Sequence, residues 1–328
     1  VILPPLADRF GRTFPYLRLS VTDVCNFRCS YCLPNGWQPT GTERFLTGAE
    51  ILRLVRAFAG LGTWKIRLTG GEPSVRRDLT EIIRTTAAVP GIRRIALTTN
   101  GYRLAERAES WFDAGLQAIN VSIDSLDRAR FRLITGHDRL VEVLAGVEAC
   151  RRLGFSAVKI NTVLLRGLNG DAVDDFIDFV ADRDLSLRFI ELMRTRDNAD
   201  YFADQHLPAH RVIDRLTARG WHPLPRVEGA GPAQEFMHPD SRGRIGIIAP
   251  YAKDFCASCN RLRVSARGLL HLCLFGSGGH DLRPLLQDDT QIGALQTTLT
   301  NLLTLKRDRH YQAEGDFGTL PSLAATGG

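Results

Sequence analysis

Six of the seven cysteines fall in two groups of short spacing, and thiolates so spaced are ligands for zinc or for an iron–sulfur cluster. The first group is Cys25, Cys29 and Cys32 in VCNFRCSYC, with Tyr31 before the last cysteine. A structural zinc site takes four protein ligands. No Cys or His follows until His137, so a fourth ligand has to come from far along the chain or from outside the protein. The second group is Cys256, Cys259 and Cys273 in CASCNRLRVSARGLLHLC, which by itself reads as a zinc site that His271 or His280 could complete. Such spacing in a cytosolic chain argues for metal rather than disulfides. Cys150, alone in VEVLAGVEACRRLG, reads as a buried helix residue.

The remaining chemistry is cationic. The net charge is +6 and the isoelectric point near 9.1, yet the arginines are scattered among acids and no basic arm or aromatic-and-basic strand motif occurs. A small polyanion therefore fits better than a nucleic acid. Only four of the 42 basic residues are lysines, which singles out Lys65 and Lys159. With 328 residues, 44% hydrophobic, the chain can bury a large core. No apolar run reaches the roughly 18 residues of a membrane span, and the opening VILPPLADRFGR lacks the apolar core of a signal peptide, so a cytoplasmic location is expected.

The elements that must position these groups alternate from Tyr16 to Met193. Strands are expected in YLRLSVT, WKIRLTG, RRIALTTN, QAINVSID, AVKINTVLL and LSLRFIELM. Helices are expected in TGAEILRLVRAFAGLG, DLTEIIRTTAAV, AERAESWFDAG, RLVEVLAGVEACRRLG and AVDDFIDFVADRD. Six βα units imply a parallel sheet, doubly wound or curled into part of a barrel. A doubly covered sheet would read as nearly continuous apolar runs. These strands instead alternate: Leu17, Leu19 and Val21 oppose Arg18, Ser20 and Thr22, and Ile66 and Leu68 oppose Lys65, Arg67 and Thr69. Further on, Thr98, Asn120, Ser122, Lys159 and Asn161 share the polar face. Helices cover the apolar face, so the polar one lines an open, wet, cationic lumen, and the fold class is α/β, a partial (β/α)6 TIM-like barrel. After about residue 195 the rhythm breaks. A helix in HRVIDRLTARG, a Pro/Gly-rich stretch, β-like RIGIIA, a hairpin in RLRVSARGLLHLCLF, helical DLRPLLQ and QIGALQTTLTNLLTLK, and a Gly-rich tail follow. Two domains are expected, 1–195 as the barrel core and 196–328 as a C-terminal region closing it.

The spacing C-x3-C-x2-C with Tyr31, placed just beyond the first strand, together with GGEP at Gly70 to Pro73 after the second, resembles the radical S-adenosylmethionine superfamily. CNRLRVS, the second cysteine group and the terminal Gly327 and Gly328 narrow this to a resemblance to the GTP 3′,8-cyclase family, which begins molybdenum cofactor synthesis. The resemblance covers about Tyr16 to Gly328. It implies two [4Fe–4S] clusters, each on three cysteines, the first binding S-adenosylmethionine and the second facing the purine of GTP. It implies GTP contacts at Arg18, Lys65, Arg67, Thr98, Lys159, Arg188, Arg261 and Arg263, and S-adenosylmethionine contacts at Tyr31, Gly71, Ser122 and Met193. Catalytic roles fall to Arg261, Arg263, Gly327 and Gly328. The implied reaction abstracts hydrogen from C3′ of GTP and joins C3′ to C8, giving (8S)-3′,8-cyclo-7,8-dihydroguanosine 5′-triphosphate. A low-potential electron donor and a downstream cyclic pyranopterin monophosphate synthase are the implied partners, with no nucleic acid or membrane and either a monomer or a homodimer. The tail departs from the family, which commonly carries Arg and Met before its two glycines where this chain has TLPSLAATGG. Two rival readings are another radical enzyme with an auxiliary cluster, such as a peptide-modifying one, and a zinc or iron–sulfur nucleic-acid binder.

Overall fold

Side chains alternate across a strand, so a strand with one apolar and one charged face must bury the first and turn the second toward water or a ligand. Six strands do so here: β1 (Tyr16–Ser20), β2 (Lys65–Thr69), β3 (Arg94–Thr99), β4 (Ala118–Ser122), β5 (Ala157–Leu164) and β6 (Ser186–Glu191). They pair in chain order, all parallel. The computed structural model describes residues 5–39, 41, 44–227, 229–276, 278–319 and 323–326. Leu17, Leu19, Ile66, Leu68, Ile119, Val121, Ile160 and Leu187 are fully buried on the outer face. Each such burial contributes about 1.5–3 kcal/mol.

The covering helices are α1 (Gly48–Gly60), α2 (Leu79–Ala87), α3 (Leu104–Asp113), α4 (Arg128–Thr135), α5 (Leu140–Arg152) and α6 (Val173–Ala181). α1 starts on a capping box, Thr47 accepting from the Glu50 N–H while the Glu50 side chain accepts from the Thr47 N–H, and it buries Ile51, Leu54, Val55 and Phe58. Cys150 is fully buried in α5, as expected. α4 has no counterpart in the expected elements. Its sequence RARFRLIT carries three arginines in its first five residues, and it is held by a cap on Asp127, by Gly136 in the left-handed region, and by buried Phe131 and Ile134.

The later residues extend both edges of the same sheet. After α7 (Ala199–Gln205) and α8 (His210–Ala218) come β7 (His222–Pro223), β8 (Gln234–Met237), β9 (Arg244–Ile248), β10 (Arg261–Val264), β11 (Leu269–His271), β12 (His280–Asp281) and α9 (Ile292–Leu303). β9 joins β6 and β10 joins β1, both parallel, so the order is β12-β11-β10-β1-β2-β3-β4-β5-β6-β9-β8-β7 with an antiparallel pair of strands at each edge. The six expected parallel strands thus gain one on each side. The DLRPLLQ segment is not an α-helix: Asp281 ends β12 and Arg283–Leu285 form a single 3₁₀ turn. Pro284 lies in that turn, and Arg283 reaches back to Glu50 at 2.8 Å, which fastens the C-terminal region to α1.

The register turns the inward residues into rows. Arg263, Arg18, Arg67 and Ala96 lie side by side across β10, β1, β2 and β3. Thr98, Asn120, Lys159 and Ser186 form a second row, and Ser122, Asn161, Arg188 and Gly246 a third. Small residues keep these rows open: a Cβ on Gly246 would lie 3.4 Å from both the Arg188 side chain and Glu235. Among the described residues no helix is long and apolar enough to cross a membrane.

Candidate active site

The first cysteine group sits where β1 ends, at the carboxyl edge of the parallel strands. The turn after β2 is pressed against it, with Gly71 N–H donating to Thr22 O at 2.9 Å and Glu72 N–H to Val24 O at 2.8 Å. Only glycine fits there. A Cβ on Gly70, whose φ is +148°, would meet Thr22 O at 2.2 Å, and one on Gly71 would meet Val24 O at 2.4 Å. Buried Glu72 holds the turn by accepting from Thr99 Oγ1 at 2.8 Å, Ser74 N at 2.9 Å and Asn100 N at 2.6 Å. On the other side the loop docks on the end of α4, Arg28 N–H donating to Thr135 O and Ser30 N–H to Ile134 O. Tyr31 Oη donates to Asp124 Oδ2 at 2.9 Å, and Asp124 Oδ1 accepts from Val163 N at 2.8 Å, so the residue before Cys32 is anchored to β4 and β5. Burial raises the Asp124 carboxyl to about 6.

Burial pushes the Cys25 thiol up to about 11 and the Cys32 thiol to about 12, and Cys29 well above its usual value, with the neighbouring thiols adding to the rise at Cys29 and Cys32. Thiols this reluctant to ionise alone become thiolates when a metal takes the place of their protons. They lie within electrostatic reach of one another, yet among the described residues no three His, Cys, Asp or Glu side chains form a group that could hold a single metal ion. Three thiols on one loop with no local fourth ligand suit a polynuclear cluster in which each thiolate takes a different iron.

Below the cysteine loop the inward rows enclose a cavity of about 620 Å³. Seven of the eight expected nucleotide residues line it: Arg18, Lys65, Arg67, Lys159, Arg188, Arg261 and Arg263. Thr98 stands behind, accepting from Arg67 Nη1 at 3.2 Å. Of the four residues expected at S-adenosylmethionine, Met193 lines the cavity; Tyr31 and Gly71 belong to the cysteine loop and its adjoining turn, and Ser122 is in register with cavity-lining Asn161. The geometry adds residues that motifs do not mark. Glu235 enters from β8 and accepts from Arg188 Nη2 at 2.9 Å, Asn120 accepts from Arg67 Nη1 at 2.9 Å, and Tyr16 accepts from Arg67 Nε at 2.6 Å. Tyr16 and Asn120 share strand parity with Arg18 and Ser122, a signal present in the sequence. Glu235 carries no such signal.

The second cysteine group lines the same cavity from the β10 side. Burial raises the Cys256 thiol, with Cys273 and Cys259 adding to it. At Cys259 burial pulls the same way, but Lys306, Arg261 and Arg12 outweigh it and lower the thiol below its usual value. Arg12 also donates to Cys256 O at 3.1 Å, and Lys306, itself buried, donates to Leu272 O. The tail returns between the two groups: the Ala324 N–H donates to the Cys32 sulfur, and Arg263 Nη1 donates to Thr326 O at 3.1 Å. Gly327 and Gly328 lie outside the described residues.

Residues 19–180 match the Radical SAM superfamily and residues 185–312 match Molybdenum Cofactor Synthesis C. The GTP 3′,8-cyclase of Stenotrophomonas maltophilia (strain R551-3) is 59% identical over 323 residues, 98% of this chain and 99% of that one. The chain belongs to the GTP 3′,8-cyclase family. The cyclase of Aeromonas hydrophila is 53% identical over 335 residues, covering 100% of this chain and 97% of its own. Among solved structures, Streptococcus suis SuiB bound to S-adenosylmethionine aligns at a TM-score of 0.58 and 13% identity, over 87% of this chain and 68% of that one. Native anSMEcpe with bound AdoMet and Cp18Cys peptide aligns at 0.51 and 14%, over 88% and 83%. These two likenesses carry the radical SAM fold to this cyclase-family chain, and the fold alone.

Proposed function

We propose that the chain binds GTP in the cationic lumen and cyclises it to (8S)-3′,8-cyclo-7,8-dihydroguanosine 5′-triphosphate, the first step of molybdenum cofactor biosynthesis. The observation that carries this reading is the charge of the lumen. Ten arginines and lysines line the cavity against two carboxylates, Asp184 and Glu235, among the described residues. Like charges brought together repel, and a ligand with about four negative charges offsets that cost where a neutral one does not. Arg188 adds to the point. Its Nη2 is held by Glu235, while its Nε is buried without a hydrogen-bond partner, and a donor left so costs about 1–3 kcal/mol until an acceptor arrives.

In this reading Cys25, Cys29 and Cys32 hold one [4Fe–4S] cluster and Cys256, Cys259 and Cys273 a second. When bound, the first cluster supplies the electron for reductive cleavage of S-adenosylmethionine. Tyr31, Gly71, Ser122 and Met193 hold that molecule at the cysteine-loop end. Lys65, Arg67, Lys159 and Arg188, with Thr98 behind Arg67, bind the nucleotide through its phosphates. Arg18, Arg261 and Arg263 orient its other end beside the second cysteine group. Holding C3′ inside the lumen keeps it oriented and away from stray hydrogen donors. The division of the chain near residue 195 marks the passage from barrel core to the region that brings the second cysteine group. The enzyme works in the cytoplasm with a low-potential electron donor and passes its product to cyclic pyranopterin monophosphate synthase.

Lys159 gives the cleanest test, since Arg67 also ties β2 to β1, β3 and β4 and its loss spreads into the fold. Burial, helped by Arg188, lowers the Lys159 ammonium to about 7. A triphosphate favours the charged form, so binding above pH 7 takes up a proton and affinity falls as pH rises through that value. Lys159→Met is expected to weaken GTP binding by about 1.5–3 kcal/mol by calorimetry at neutral pH and to remove part of that fall. Unchanged affinity and unchanged pH dependence contradict the nucleotide reading of the lumen.

A further inference from the structure

The lumen holds one ionisable group that its cations surround and that no motif marks. Tyr16, inward-facing on β1, is 3% exposed. Its Oη accepts from Arg67 Nε at 2.6 Å and is hydrogen-bonded by the Arg18 guanidinium as well, and the Lys65 ammonium stands 4.6 Å from the centre of its ring. The charged groups facing it come from its own strand (Arg18), from β2 (Lys65 and Arg67) and from β10, where Arg261 is its register partner and Arg263 lies within electrostatic reach. Among the described residues, the strongest electrostatic influences on it are all cations, Arg67, Arg18 and Lys65. Arg67 in turn gives Nη1 to Leu97 O, Thr98 Oγ1 and Asn120 Oδ1, so its Nε bond to Tyr16 completes the set that fixes the guanidinium plane.

We propose that Tyr16 is a positioning residue of the nucleotide site and its internal counter-ion: the phenol oxygen aims Arg67 at the phosphates and Arg18 at the nucleotide's other end and, as a phenolate, balances them until the nucleotide arrives. This rests on the nucleotide reading above. The electrostatics agree with the geometry. Burial alone would keep the phenol neutral, but Arg67, Arg18 and Lys65 overcome it and bring the group down to about 6. In the ligand-free protein above that pH the oxygen is negative. A triphosphate entering the same cations disfavours a second anion beside it, so Tyr16 takes a proton from solvent as the nucleotide binds. Lys65, brought down to about 8, and Lys159 take up protons in the same direction, which makes the wild-type linkage a sum that a single substitution can divide.

The substitution is Tyr16→Phe, which keeps the ring and removes only the oxygen. With the reconstituted holoenzyme, GTP binding is titrated calorimetrically across about pH 6 to 8 in two buffers of different ionisation enthalpy, which yields both Kd and the number of protons taken up. Iron content and S-adenosylmethionine binding report that the variant is folded, and both are expected to equal the wild type. At about pH 6 the variant is expected to bind roughly tenfold more weakly, because its guanidiniums have lost their anchor. The gap closes as pH rises, since only the wild type must then protonate a phenolate, and proton uptake near pH 7.5 is smaller in the variant by about one. A gap that stays constant with pH, or no gap and equal proton uptake, overturns this proposal while leaving the nucleotide reading intact. Absence of GTP binding in the wild type overturns both.

Discussion

Alanine at any one of Cys25, Cys29 and Cys32 is expected to reduce cleavage of S-adenosylmethionine to background. The three thiols come from one loop braced by α4 on one side and by the Gly70–Glu72 turn on the other, so their spacing is set before any metal binds. Three protein ligands leave one iron of a four-iron cluster open for the amino-acid end of S-adenosylmethionine, and a cluster on two cysteines loses both its anchorage and that single open site. The same change at Cys256, Cys259 or Cys273 acts elsewhere: it is expected to remove about half of the iron and the cyclised product while sparing the cleavage. Wild-type enzyme should carry about eight irons per chain. About four irons with stoichiometric zinc would contradict the assignment of the second group.

Deleting Gly327 and Gly328 is expected to spare both clusters and GTP binding but to suppress the cyclised product, with S-adenosylmethionine cleavage slowed or uncoupled. Chain ends are disordered by default. This one is directed inward as far as it is described: Thr326 is 1% exposed and bound by Arg263, and Ala324 touches the Cys32 sulfur through its N–H. Burial and the nearby Arg18 and Arg261 hold the Arg263 guanidinium well below its ordinary value, so an anion beside it is favoured. Glycines let a backbone enter a site crowded by a nucleotide. Contacts made there have to offset an ordering cost of about 1–2 kcal/mol per residue. TLPSLAAT lacks the Arg and Met common in the family, so here Arg263 and the Thr326 carbonyl supply the tether. Wild-type yield of cyclised product from the truncated enzyme would return the two glycines to an inert tail.

Parity along single strands was enough to find the lumen, because a five-residue strand such as KIRLT has only two faces and helices can cover only the apolar one. Tyr16 was legible on the same grounds, since it shares the face of Arg18, but nothing in one strand tells that Arg67 reaches across to it. Register is a property of neighbours: that Asn120 lies opposite Lys159, and Arg18 between Arg67 and Arg263, depends on how the sheet staggers as it curls. Glu235 was not legible because its strand, QEFM, is short, antiparallel and set in a Pro/Gly-rich stretch whose pairing is decided by β9. α4 was missed for a related reason. Its polar sequence makes a helix only in contact with the cysteine loop, where Phe131 and Ile134 find their burial.

The central claim is that the cationic lumen holds GTP for radical cyclisation. The most direct measurement incubates the reconstituted enzyme anaerobically with GTP, S-adenosylmethionine and a strong reductant, and identifies the nucleotide product by mass and by nuclear magnetic resonance. The account predicts a product isomeric with GTP, the hydrogen lost from C3′ being balanced by one electron and one proton taken up at N7 after C3′ adds to C8, so unchanged in mass and bonded between C3′ and C8, with methionine and 5′-deoxyadenosine released alongside. Cleavage of S-adenosylmethionine with GTP recovered unaltered would contradict it.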